Sequence, residues 1–261
     1  MVKSLLVRGM LVGVVAGLLG FAVAWVYGEP TVDRAIAFEE QMAAAESAPA
    51  ADAASDPAAM PGMGEEEEAP LVSREMQSTL GLLTALVLYG ASFGGIFALV
   101  YAYALGRFTG VSPRGLAALL ALAAYIAIVV APDLKYAASP PASTNDDTVG
   151  PRSGLHLAMM LISVVAMVVA VLFGRSLYRK HGAWTATIAG GVLYAVVILI
   201  VHQILPEVQE TPDNFPAVIF YRFRMANMGI QAVLWATIGL LFGYLTERSY
   251  QTGRAVLRPA H

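Results

Sequence analysis

The run TLGLLTALVLYGASFGGIFALVYAYAL, residues 79–105, holds 27 consecutive residues without a charged side chain. As a helix rising 1.5 Å per residue it would reach about 40 Å, more than the roughly 30 Å hydrocarbon layer of a bilayer. A backbone exposed to lipid has to satisfy its own hydrogen bonds, so the run predicts a transmembrane helix. Working outward, comparable apolar runs occupy residues 9–27, 116–131, 155–173, 184–205 and 226–245. Together they predict an all-α fold, a polytopic transmembrane helical bundle of about six spans in the cell membrane. The expected organisation is an N-terminal helix at 1–27, an acidic external loop at 28–78, a five-helix core at 79–245 and a tail at 246–261.

Composition points the same way. Of the 261 residues 57% are hydrophobic and 13% charged, about half the charged share of an ordinary globular domain, which excludes a soluble enzyme. There is no cysteine. Disulfides, thiolate metal sites and cysteine nucleophiles are therefore excluded, and metal coordination is left to nitrogen, oxygen or thioether donors. Neither GxxxxGK[ST] nor HExxH occurs, so neither P-loop ATP hydrolysis nor zinc-protease chemistry is expected, and the chain is read as non-enzymatic.

The net charge of -3 conceals a division between the two sides. With the N-terminus in the cytoplasm, ten of the 16 basic residues, including Lys3, Arg8, Arg107, Arg114, Arg175 and Arg248, fall inside. Of the 19 acidic residues only Glu247 joins them. Lysine and arginine bias sets orientation, so both termini are expected to be cytoplasmic. Lys3 and Arg8 ahead of an apolar core also resemble a secretory signal. The core runs on to Tyr27 without a clear small-residue cleavage pattern, and a retained first helix is expected.

Between the first two spans, alanine, proline, serine and glutamate dominate residues 43–69, a composition that cannot build a core. Met60, Met63 and Glu65 to Glu68 stand there as soft and hard donors able to concentrate a divalent cation loosely. A flexible acidic linker accounts for the same run without a defined site. In the loop expected at 206–225, Phe215, Phe220, Tyr221 and Phe223 suit the membrane interface, with Arg222 and Arg224 reaching headgroups or external carboxylates.

Candidate metal ligands cluster at two places. His202 closes the fifth span and is followed by Glu207 and Glu210, nitrogen and oxygen donors of the kind that suit cobalt, nickel or zinc. His156, Met160, Ser163 and Met167 share a broad face of the fourth span, where imidazole, hydroxyl and thioether groups can replace water ligands; methionine as a packing filler is the plainer account. Asn227 and Gln231, four residues apart in the sixth span, are the candidate internal polar contacts. Gly9, Gly13 and Gly17, Gly90 and Gly94, and Gly239 and Gly243 each recur at intervals of four, the pattern that lets helix backbones approach closely in lipid.

The segments PDLKYAASPPA (132–142), TVGPRSG (148–154) and LPEVQETPDNFPAVIFYRFRMANMGIQAVLW (205–235) carry a resemblance. The chain resembles the CbtA family of cobalt transporter subunits over nearly its full length, most specifically in the last segment. The matching positions include Lys135, Tyr136, Pro206, Phe215, Arg222, Arg224 and Gln231, with Lys135, Arg222, Arg224, Asn227 and Gln231 as candidates for an interface or gate. The resemblance implies a membrane protein of about five spans in cobalt uptake for vitamin B12 supply, beside a small CbtB-type membrane partner with a histidine-rich feature. On that reading Co2+ is the transported ion, no cofactor is tightly bound, and the partners are the lipid bilayer, a divalent metal ion and the small subunit, without nucleic acid. Nothing in the sequence specifies an oligomeric state. A non-transporting membrane scaffold or accessory subunit would need only the glycine faces and the loops.

Because residues 59–69 offer little to bury, their deletion is expected to leave assembly intact. Size-exclusion chromatography of the detergent-solubilised deletion variant checks this, and an aggregated product would refute the linker assignment.

Overall fold

The computed structural model describes residues 2–47, 72–108, 110–141, 143, 146–208 and 215–256. The run from Met60 to Glu68, Glu210 and His261 lie outside the described residues. Helix α1 runs as Val2–Val23, passes through a π turn at Ala24–Gly28 and continues as Glu29–Ser47. Helix α2 comprises Arg74–Met76, a π turn at Gln77–Gly81 and Leu82–Ala104. Helix α3 comprises Pro113–Tyr125, a π turn at Ile126–Val130 and Ala131–Asp133. Helices α4 and α5 are Asp146–Ile204 and Ala217–Val256. Five stretches are long and apolar enough to cross a membrane, at Val2–Ala45, Arg74–Ala104, Pro113–Asp133, Val149–Ile204 and Ala217–Gln251. The chain is a multi-pass membrane protein.

Local chemistry explains several boundaries. Ser112 starts α3 by accepting a hydrogen bond from Gly115 N at 3.0 Å, with Pro113 in the first turn, where its missing N–H costs nothing. Two of the π turns lie just upstream of a proline, Pro30 and Pro132. A proline ring clashes with the carbonyl four residues earlier, and a local widening of the helix relieves that clash without ending the helix.

Helix α4 is the exception to a one-helix, one-span reading. Its 59 residues would reach about 90 Å if straight, three times the hydrocarbon thickness. At Gly182 the backbone takes φ 79° and ψ 174°, a conformation that side-chain-bearing residues rarely adopt. The chain reverses there, and the two arms pack on each other. A Cβ on Gly174 would lie 2.9 Å from Ala186 O, and one on Gly190 would lie 3.0 Å from Ala170 O. Ser163 and Tyr194 hydroxyls meet across the arms at 2.8 Å. The fourth and fifth apolar segments of the sequence are these two arms.

The remaining helices share one core. Val12 and Ala16 of α1, Phe97 and Tyr101 of α2, Ala117 and Ala121 of α3, and Leu234, Ile238 and Phe242 of α5 are buried together. The tightest contact in it is between α1 and α2. A Cβ on Gly9, Gly13 or Gly17 would overlap the backbone carbonyl of Gly94, Gly90 or Leu86 respectively, and Gly90 and Gly94 meet Gly13 and Gly9 in the same way. On α5, Gly239 and Gly243 face Ala121 and Ala117. Every glycine face expected from spacing is an actual helix contact. At one end Arg8 of α1 donates to Thr246 Oγ1 at 3.2 Å and Ser249 Oγ at 2.7 Å of α5.

Three expected loops are shorter than their polarity suggests. Residues expected to begin the acidic loop extend α1 to Ser47, because that extension has something to pack against. Thr31 and Ala35 are buried, Phe38 meets Phe215 edge-to-face at 5.3 Å, and Arg74 of α2 pairs with Glu29 and, at 3.1 Å, Asp33. The TVGPRSG stretch lies in the opening turns of α4, and AVIFYRFRM opens α5. There Arg224 stacks on Phe220, four residues earlier, with its guanidinium carbon 3.9 Å from the ring centroid. Phe215, expected at the membrane interface, is instead buried against Phe38.

Gly13→Val is expected to lower stability by about 1–3 kcal/mol by overpacking α1 against Gly90, whereas Gly191→Ala, with open space around it, should be neutral. Thermal unfolding of both variants in one detergent checks the difference.

Candidate functional site

The polar groups of the bundle interior gather where α3, α4 and α5 meet, at the end opposite Arg8. Asp133, the last residue of α3, accepts a hydrogen bond from Asn227 Nδ2 of α5 at 3.1 Å. His156 of α4 and Arg224 of α5 lie within electrostatic reach of the same carboxylate. One turn deeper on α5, Gln231 Oε1 receives Tyr89 Oη of α2 at 3.4 Å. Tyr125 Oη of α3 donates to Met228 O, also at 3.4 Å. One further turn down the same face, Trp235 is buried with its Nε1 unpaired among the described residues, its ring edge-on to Phe93 at 5.8 Å. Asn227, Gln231 and Trp235, spaced by four, form a polar stripe that begins at Asp133 and enters the bundle.

The segment after α3 locks this end in place. Lys135 Nζ donates to His202 O at 2.6 Å, and Tyr136 Oη donates to Pro206 O at 2.6 Å. Tyr136 is buried, which pushes its phenol above its ordinary pKa. Both histidines point at backbone carbonyls, His156 Nδ1 at Tyr136 O (3.0 Å) and His202 Nε2 at Ala131 O (3.2 Å). A carbonyl only accepts, so each of those ring nitrogens donates its proton there. Metal-binding histidines are commonly oriented in this way.

The candidates from sequence divide accordingly. His156, Asn227 and Arg224 converge on Asp133, Gln231 lies below them, and Lys135 and His202 form the adjoining brace. Glu207 is exposed beyond the end of α4. Met160 is half-buried, while Met159 and Ser163 are the fully buried residues of that face and pack it against the second arm. Arg222 turns away from Arg224 and lines a separate groove between α1 and α5. Among the described residues no three histidine, aspartate or glutamate side chains assemble as a metal-binding group.

Asp133 is the candidate residue that the sequence did not mark. Its signal was a single carboxylate ending an apolar run inside PDLKY, with no periodicity to mark it. A second pattern, GASFG at 90–94, fits the GxSxG spacing of a nucleophile elbow. It lies inside continuous α2, where Ser92 Oγ donates to Leu88 O at 2.8 Å, not on the strand-to-helix turn that exposes such a serine.

A family model described as a probable cobalt transporter subunit (CbtA) matches residues 2–247. The chain belongs to that family. No curated protein and no solved structure matches it.

Replacing Asn227 with leucine leaves the Asp133 carboxylate without its amide donor and is expected to cost about 1–3 kcal/mol, most of which returns when Asp133 is made leucine as well. A double-mutant cycle of thermal unfolding checks this; additive losses would show that the two residues do not act as a pair.

Proposed function

We propose that this member of the CbtA family is a membrane subunit of a cobalt uptake system, admitting Co2+ at the Asp133 end and passing it along the polar stripe of α5. The arms of α4 count as two crossings in this reading, giving six in all. An even number places both termini on one side. Lysine and arginine bias assigns that side to the cytoplasm, so Asp133 opens outward.

The observation that carries the proposal is the Asp133–Asn227 pair above Gln231 and Tyr89. Ionisable groups within membrane helices are costly and tend to face ion pathways or each other. Carboxylate, amide and phenol oxygens, with the imidazole of His156, make a sequence of donors able to replace part of an ion's hydration shell. Mixed nitrogen and oxygen donors suit Co2+ among divalent ions. The chain acts as a carrier subunit without an enzymatic step, and accumulation against a gradient draws on an ion gradient or on another subunit. The small membrane partner implied by the family resemblance completes the system.

Reconstitution tests this. The chain is placed in liposomes with and without the small partner, and Co2+ uptake is measured beside Ni2+, Zn2+ and Mg2+. Asp133→Asn is expected to reduce Co2+ uptake about tenfold or more, the equivalent of losing roughly 1.4 kcal/mol of charged interaction. His202→Ala should reduce it less, through the loosened brace. No uptake in either preparation would favour the scaffold reading.

A further inference from the structure

A groove of about 450 Å³ lies between α1 and α5, away from the polar stripe. Arg34 and Arg222 line it, and neither has a hydrogen-bond or ion-pair partner among the described residues. Its composition follows the helix axes. On α1 the lining passes from Val23 through Tyr27 to Arg34, and on α5 from Gly229 through Met225 to Arg222. The helices run in opposite directions, so both arginines stand at the Asp133 end and the apolar residues lie deeper. Tyr27, 66% exposed, sits between the two zones and Tyr221, 64% exposed, stands beside Arg222 at the outer end, positions where tyrosines mark the boundary between hydrocarbon and headgroups. A Cβ added to Gly229 would meet nothing within 4 Å, so the deep half of the groove is open space.

We propose that this groove is a binding site for one anionic phospholipid in the leaflet at the Asp133 end. Two guanidinium groups offer planar N–H forks that match phosphate oxygens bidentately. A soluble anion would satisfy the arginines and leave the apolar half empty. A phospholipid fills both, with its phosphate between Arg34 and Arg222 and the start of an acyl chain along Val23, Met225 and Gly229. The lipid then bridges α1 to α5 where Gly20 and Gly28 make only ordinary contacts with Ile230, far from the tight glycine contact of α1 with α2.

The test uses the full chain purified in a neutral detergent and supplied with phosphatidylglycerol or phosphatidylcholine. Native mass spectrometry reads the retained lipid, and thermal unfolding reads stabilisation. Phosphatidylglycerol is expected to be retained about tenfold more than phosphatidylcholine, as for two charge-assisted contacts. The Arg34→Gln/Arg222→Gln double variant should lose that preference. Gly229→Leu fills the deep half without touching either arginine, and is expected to lower retention of both lipids, which keeps the proposal testable should the double variant fold poorly. Equal retention of the two lipids, or unchanged retention in both variants, would overturn it. So would inorganic phosphate at millimolar concentration stabilising the chain as much as phosphatidylglycerol does, since that would assign the arginines to a free anion.

Discussion

The contact of α1 with α2 is made backbone to backbone, and the rest of the bundle is arranged around it. Between helices in lipid there is no hydrophobic effect of the kind that drives a water-soluble core, because lipid tails are as apolar as leucine. Association has to come from dispersion over closely fitted surfaces, and the fit improves as the axes approach. Gly9, Gly13, Gly17, Gly90 and Gly94 remove the side chains that would hold the axes apart. The large residues are correspondingly turned outward, with Leu11, Leu18, Leu88 and Ile96 all exposed toward the lipid. With α1 and α2 held so closely, the groove they form is narrow, and α5 packs along it with Leu234, Ile238 and Phe242.

Helix α5 consequently serves different neighbours on different faces. Its glycines receive α3, its aromatic and branched residues fill the core, and its Asn227, Gln231 and Trp235 stripe faces the side chains of α2 and α3. Polar groups survive inside the bundle because each of the first two has a partner from another helix, which offsets the cost of removing it from water. The second arm of α4 reaches this region through His202, whose Nε2 meets Ala131 O, and through Ile198, which shares a buried cluster with Ala131 and Tyr136, so the α4 hairpin is tied to the central bundle mainly at the Asp133 end.

Much of this was legible in the sequence, and the reasons differ by feature. Glycine spacing depends only on helical geometry, so all three expected faces correspond to real contacts. Long apolar runs report on the bilayer, and each predicted span falls within a helix. Helix ends were less legible, because polarity marks where a chain leaves hydrocarbon and not where its helix stops. The extension Glu29–Ser47 and the opening turns of α4 and α5 are helices in a polar setting, held by tertiary partners such as Arg74 and Phe215 that no local pattern announces. The reversal at Gly182 falls between the apolar runs 155–173 and 184–205, where their separation implied a turn. Asp133 was hidden for a related reason: its importance comes from Asn227, 94 positions away.

The two ends of the bundle differ in the kind of bond that closes them. At one end Arg8 joins the first helix to the last through two hydroxyls, one of them on the fully buried Thr246. Hydroxyl partners are uncharged and rotate freely, so they hold the guanidinium without neutralising it. At the other end Asp133, Arg224 and Lys135 bring charges of both signs to one junction of three helices, with His156 beside them. A divalent cation arriving there meets a carboxylate already shared with an amide and set near Arg224. Its binding would compete with the Asn227 hydrogen bond, which is charge-assisted where the carboxylate is ionised. A cation there would also be repelled by Arg224, whose guanidinium is held on the Phe220 ring at the edge of the junction. The arginine thus stands at the rim of the junction and the carboxylate on its inner side, held by Asn227.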